Sequence, residues 1–135
     1  SFGMRFHTAV NKFCLNTILG ENVPVWNNAI DQYRPYLSLR DAIKSIIFII
    51  NKKIFDNNIY NLLTSNYTVR EILHMIRINN FNPKIKKVKS KILNQNSYKV
   101  SKKKFEKLGI PISSSISKDI KETLRLLAHL HQTKS

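Results

Sequence analysis

Only three glycines, Gly3, Gly20 and Gly109, occur in this 135-residue chain, and no two lie close together. A turn that presents backbone amides at a helix N-terminus to a pyrophosphate needs closely spaced glycines, because a Cβ would block the approach of ligand to backbone. This chain cannot build such a turn, so it cannot hold a dinucleotide in that way. What remains is read from hydrophobic periodicity and from capping signals.

Helix and strand signals alternate along the chain. Val10, Phe13, Cys14 and Ile18 fall at helical spacing within residues 7–19, with Gly20 as the stop. The stretches VPVW (23–26) and QYRPYL (32–37) predict short extended segments around a polar turn at Asn27 and Asn28, and their prolines assign them to edge or irregular positions. Ser38 offers an N-cap with Asp41 three residues on, opening a helix over 39–50. Residues 57–63 (NNIYNLL) predict a strand, and Thr68 with Glu71 predicts a capping box for a helix to about Ile78. KIKKVKS alternates as a half-buried strand does, NSYKV is extended, and Ser101 caps a short helix ending at Gly109. Ile116, Ile120, Leu124, Leu127 and Leu130 mark a terminal amphipathic helix. The expected class is α+β, helices with short strands, in a single domain spanning 1–135.

Composition narrows the functional classes. A hydrophobic content of 42% is ordinary for a globular chain, and the strongly apolar run Ile46 to Ile50 is too short to span a bilayer. The one cysteine, Cys14, allows no internal disulfide. Together with an N-terminus lacking the order of a secretion signal, this gives a cytoplasmic expectation. The net charge is +15, and ten lysines lie from Lys84 to Lys107 with Glu106 the sole acid among them. Such a stripe can neutralise phosphates and release counterions, which keeps a small nucleic-acid-binding module open as an alternative. Against it, arginine is scarce and the aromatics are not interleaved with the lysines as a stacking surface requires.

Metal and catalytic patterns are thin. His129 and His131 are two apart and would face different sides of a helix, so no zinc spacing arises. Tyr98 and Lys102 have the Tyr-x-x-x-Lys spacing, but that pair works only when both stand on one helix and the ammonium lowers the phenol pKa. Here Tyr98 falls in an extended stretch and Lys102 beyond the cap, so no catalytic residue is assigned.

Four segments taken in order carry a resemblance. MRFHTAVNKF (4–13), YRPYLSLRDAIKSI (33–46), IYNLLTSNYTVREI (59–72) and NSYKVSKKKFEKLGI (96–110) resemble the C-terminal, substrate-binding part of the extended short-chain dehydrogenase/reductases, the NAD-dependent sugar-nucleotide epimerase/dehydratase family. The resemblance covers nearly the whole chain. It implies that Arg34 contacts a substrate phosphate, that Asn11 opens a helix facing the diphosphate or sugar, and that Tyr98 lies on the late strand beside the nucleotide. A guanidinium fork suits a diphosphate because it binds such oxygens bidentately; a surface pair with Asp31 is the competing role for Arg34. The sequence departs from the family around Tyr98, where Asn94 and Asn96 stand in place of an acid and an arginine, and after VPVW, where Asn27 or Asn28 replaces a glycine.

The expected function is therefore the sugar-nucleotide-binding portion of a larger enzyme, inactive alone. No cofactor is expected in this portion, and NAD(P) is expected in the parent. The expected partners are a nucleotide-sugar and the missing N-terminal Rossmann half, with a homodimer as an alternative and no membrane. Apolar faces around Ile59 and Leu62 are expected to be exposed. A non-catalytic protein-interaction domain is the remaining alternative.

Overall fold

A computed structural model describes residues 6, 8–89, 96–110 and 112–132. The order is α1 (Ala9–Ile18), β1 (Asn22–Trp26), β2 (Tyr33–Tyr36), α2 (Leu39–Lys52), β3 (Ser65–Thr68), α3 (Val69–Arg77), β4 (Lys84–Val88), α4 (Lys103–Glu106) and α5 (Ile116–Gln132). This is the expected mixture of helices and short strands.

The strands form two separate pairs. β1 lies parallel to β4, with Val23 opposite Ile85 and Trp26 opposite Val88. β2 lies antiparallel to β3, with Arg34 opposite Tyr67. In a two-stranded sheet every strand is an edge, so Pro24 and Pro35 cost no central ladder bond. α1, α3 and α5 close over these pairs. Cys14, Val23, Ile72, Ile76, Ile120 and Leu124 are essentially inaccessible at the centre of the core. Burial among these side chains pushes the Cys14 thiol up to about 12, because a thiolate there would lose its hydration.

Three expectations need correction. Residues 57–63 join no sheet, and Asn57 lies at φ +55 in a bend; the paired strand begins at Ser65. A strand-like stretch becomes a strand only when a neighbour accepts its backbone groups, and no described neighbour does so here. Ser38 is the N-cap of α2, yet its side chain makes no capping bond. Asp41 points instead to Thr64 and Ser114. The short helix after residue 100 has Lys102 as its N-cap position, one residue past Ser101, while the Ser101 hydroxyl accepts from Lys103 N at 3.4 Å. By contrast the Thr68–Glu71 box forms in full: Glu71 N donates to Thr68 Oγ1 at 3.2 Å and Thr68 N donates to Glu71 Oε2 at 2.7 Å. Gly20 and Gly109 terminate helices at φ +69 and +81, backbone conformations that favour glycine.

Candidate functional site

The turn 27–31 folds β1 back toward β2, and Asp31 pins it by accepting from Arg70 Nε at 2.7 Å and Arg70 Nη2 at 2.9 Å. The hydrogen bond from Arg70 holds the Asp31 carboxyl below its ordinary value. Asp31 is thus engaged by Arg70 on α3, and the competing role for Arg34 as its surface partner is not adopted.

Arg34 lies instead in a groove of about 370 Å³ between α1, β1 and β2, with Lys12, Trp26, Gln32 and Tyr36 among its walls. Its guanidinium donates to Tyr33 O at 2.7 Å, to Asn96 O at 3.0 Å and to Gln32 Oε1 at 2.8 Å. The Tyr98 ring lies under it, 5.0 Å from Cζ to the ring centroid. Ser97 and Tyr98 fix this geometry by bonding β2: Tyr33 N donates to Ser97 Oγ at 2.9 Å and Tyr98 N to Tyr33 O at 3.4 Å. A planar cation held on one face by an aromatic and at its edges by carbonyls is fixed in orientation. Burial lifts the Tyr36 phenol above its ordinary value, and the Arg34 charge partly offsets that rise.

The structure therefore brings Arg34 and Tyr98 together. Asn11 lies one turn inside α1, whose N-cap is Thr8, and lines a neighbouring hollow of about 700 Å³. That hollow is bounded by the first turns of α1 and α2, the end of β2 and the first three turns of α5, and only Ala9 and Tyr36 belong to both hollows. Lys12, the residue after Asn11, lines the Arg34 groove from α1 together with Ala9 and Phe13. The sequence reading missed Lys12, Gln32 and Trp26. The signal that could have found Lys12 was its place beside Asn11 on the first turn of a helix assigned to the substrate.

Lys102 is drawn away from Tyr98: its Nζ donates to Thr64 O at 2.9 Å and sits 3.4 Å from Glu106 Oε1. The Tyr-x-x-x-Lys spacing thus makes no catalytic pair. Asn94 lies outside the described residues, while Asn96 contributes its backbone carbonyl to Arg34. Among the described residues no cluster of His, Cys, Asp or Glu could hold a metal ion, and no helix is long and apolar enough to cross a membrane. Gly20 and Gly109 stand at helix C-terminal ends, so the described residues offer no cradle that fits a dinucleotide pyrophosphate.

No family model and no curated protein matches the sequence. Solved structures do match the fold. A dTDP-glucose 4,6-dehydratase from Bacillus anthracis str. Ames, in complex with NAD, superposes with a TM-score of 0.74 at 13% identity, covering 96% of this chain and 42% of its own. A UDP-glucuronic acid 4-epimerase from Bacillus cereus, in complex with NAD, gives 0.72 at 13% identity over 96% of this chain and 40% of its own. A UDP-glucose 4-epimerase from Thermus thermophilus, in complex with NAD, gives 0.69 at 18% identity over 88% and 39%. The chain spans about two fifths of the length of these structures. The chain thus shares its fold with part of these epimerase and dehydratase structures.

Proposed function

We propose that this chain is the sugar-nucleotide-binding portion of an NAD-dependent epimerase or dehydratase, binding and orienting substrate without carrying out the chemistry. The observation that carries this reading is the Arg34 guanidinium, fixed by Gln32, Tyr33, Asn96 and Tyr98 in a groove that Lys12 also lines. Two cations there suit the two negative charges of a nucleoside diphosphate. Trp26, 38% exposed at the groove, offers a face on which a base can stack. Tyr98 positions the guanidinium from beneath, and Asn11 faces the sugar end from the adjoining hollow. Proton and hydride transfer belong to the part of the enzyme that binds NAD(P), since these residues include no base beside a cofactor cradle. The chain alone is accordingly inactive.

Calorimetric titration with UDP-, GDP-, CDP- and dTDP-sugars tests the reading. Binding in the micromolar to millimolar range is expected for one nucleotide class. Arg34→Ala should weaken it by at least tenfold, about 1.4 kcal/mol, the scale of one lost charge-assisted bond. Lys12→Ala should weaken it less, because a single ammonium is a point charge without the bidentate fork. Absence of binding, together with salt-sensitive binding to an RNA oligomer, would replace this reading with the basic-module alternative.

A further inference from the structure

The polar side chains lining the Arg34 groove are nearly all of one kind. Among the described residues they are Lys12, Trp26, Gln32, Arg34 and Tyr36, and no Asp or Glu joins them. An ammonium, a guanidinium and an indole N–H donate hydrogen bonds and accept none. Gln32 could do both, but Arg34 Nη2 donates to its Oε1 at 2.8 Å. A guanidinium offers only N–H groups, so it fixes which end of the amide faces it. The Gln32 NH2 group therefore points away from Arg34, and among the described residues it has no hydrogen-bond acceptor. Tyr36 alone adds a hydroxyl that can accept as well as donate.

The order of these groups gives the groove a direction. Arg34 and Tyr36 are two apart on β2 and share one face. Gln32, two residues before Arg34, lines the same groove. Two successive turns bring the chain from Trp26 round to Gln32, with Ala29 N donating to Trp26 O at 3.0 Å and Gln32 N to Ala29 O at 3.1 Å. Both turn carbonyls are thereby occupied. Trp26 and Gln32 stand on one side of Arg34. Tyr36 stands on the other, where it also lines the hollow that contains Asn11.

Resting on the function proposed above, we infer that Gln32 is a specificity-determining residue that selects uracil or thymine nucleotides. The base stacks on Trp26, the diphosphate lies at Arg34, and the Gln32 NH2 group donates to a carbonyl on the base edge. Uracil and thymine carry two ring carbonyls and no exocyclic amine, whereas cytosine, adenine and guanine each carry an amino group. On the Trp26 side of the groove no side chain or turn carbonyl is left to accept from that amine. Two donors brought face to face both go unpaired, which costs more than the loss of one bond.

Trp26 is the sole tryptophan of the chain, so its fluorescence reports directly on a base lying against the indole. The test titrates the chain with UDP, dTDP, CDP, GDP and ADP, which share a diphosphate and differ chiefly in the base. UDP and dTDP should quench with dissociation constants at least about tenfold lower than those of CDP, GDP and ADP. Gln32→Glu is the deciding variant. Its carboxylate still accepts from Arg34, so the guanidinium keeps its prop, but the groove now meets an acceptor in place of a donor. The added charge weakens every diphosphate alike, and the readout is therefore the preference for UDP over CDP, which should vanish or reverse. A glutamine that only props Arg34 would leave that preference at its parent value, and this result overturns the inference. So does a parent chain that binds UDP and CDP within about threefold of each other. In either case the substrate reading of the groove stands, because nucleoside diphosphates still bind. If none of the five binds, the substrate reading falls and the inference falls with it.

Discussion

Asp41 is buried at the start of α2, where its carboxylate accepts from Thr64 Oγ1 at 2.6 Å and from Ser114 N at 3.2 Å. Thr64 Oγ1 in turn accepts from Ser38 N at 2.8 Å, so a single carboxylate ties three distant stretches of chain together. Burial raises the Asp41 pKa, but the bonds from Ser114 and Thr64 outweigh it and leave the value below the ordinary 3.8. A carboxyl with a depressed folded pKa contributes stability that is present above the unfolded value and is lost as pH falls through the folded one. Asp41→Ala should therefore lower unfolding free energy at neutral pH by about 2–3 kcal/mol, since the Thr64 hydroxyl loses a charged partner inside the protein. Asp41→Asn should flatten the acid limb of stability below that carboxylate range. Urea melts at pH 7 and pH 3 measure both, and equal acid sensitivity in Asp41→Asn and the parent would refute the role. The sequence placed Asp41 at a helix start, and that placement holds. Its partners, 23 and 73 residues away, could not be read from local spacing. The same limit governed the site: Arg34 and Tyr98 were legible as motif residues, whereas Lys12 gained its place only when α1 folded against β1 and β2.

At the scale of elements, two sites with the same capping pattern behave differently. Thr68-x-x-Glu71 closes a complete box with both side chains bonding backbone N–H groups. Ser38-x-x-Asp41 does not, because Asp41 is held by tertiary partners and Ser38 Oγ is buried without a hydrogen bond among the described residues. Thr68→Ala should accordingly cost about 1 kcal/mol, a typical cap value, while Ser38→Ala should change stability by under about 0.5 kcal/mol. Thermal melts of the two variants separate a capping pattern from a cap; a large loss in Ser38→Ala would contradict this account. Residues 57–63 teach the same lesson for strands. The sequence predicts a strand there and none forms, because pairing depends on a neighbour that no local sequence contains. The pairing of β1 with β4 shows the converse, since neither short stretch names its partner and their register emerges only when α1 and α3 pack over them.

Across the whole molecule stability is unevenly distributed. α1, α3, α5 and β1 supply the buried core, while no residue of α2 belongs to it or packs against it as a half-buried hydrophobic. The Asp41 network is therefore a principal anchor of α2, whose aliphatic stripe (Leu39, Ile43, Ile46, Ile47 and Ile50) faces water. Local opening costs little where few apolar contacts break, so elements outside the core should open well below the global free energy. In the isolated chain, amides of Ile43 to Ile50 should exchange at least tenfold faster than those of Ile120 to Leu124, although both lie inside helices. Raising urea toward the global transition should narrow that gap. Opening α2 exposes little new surface and responds weakly to denaturant, whereas the α5 amides exchange through global unfolding and respond steeply. Asp41→Ala should speed exchange in α2 selectively, by loosening its anchor while leaving the α1–α3–α5 core intact. Peptide-resolved hydrogen exchange reads all three effects. Uniform protection across α2 and α5 would mean that the polar network alone anchors a helix as firmly as a packed core does, and the stripe would then not make α2 the weakest layer of the fold.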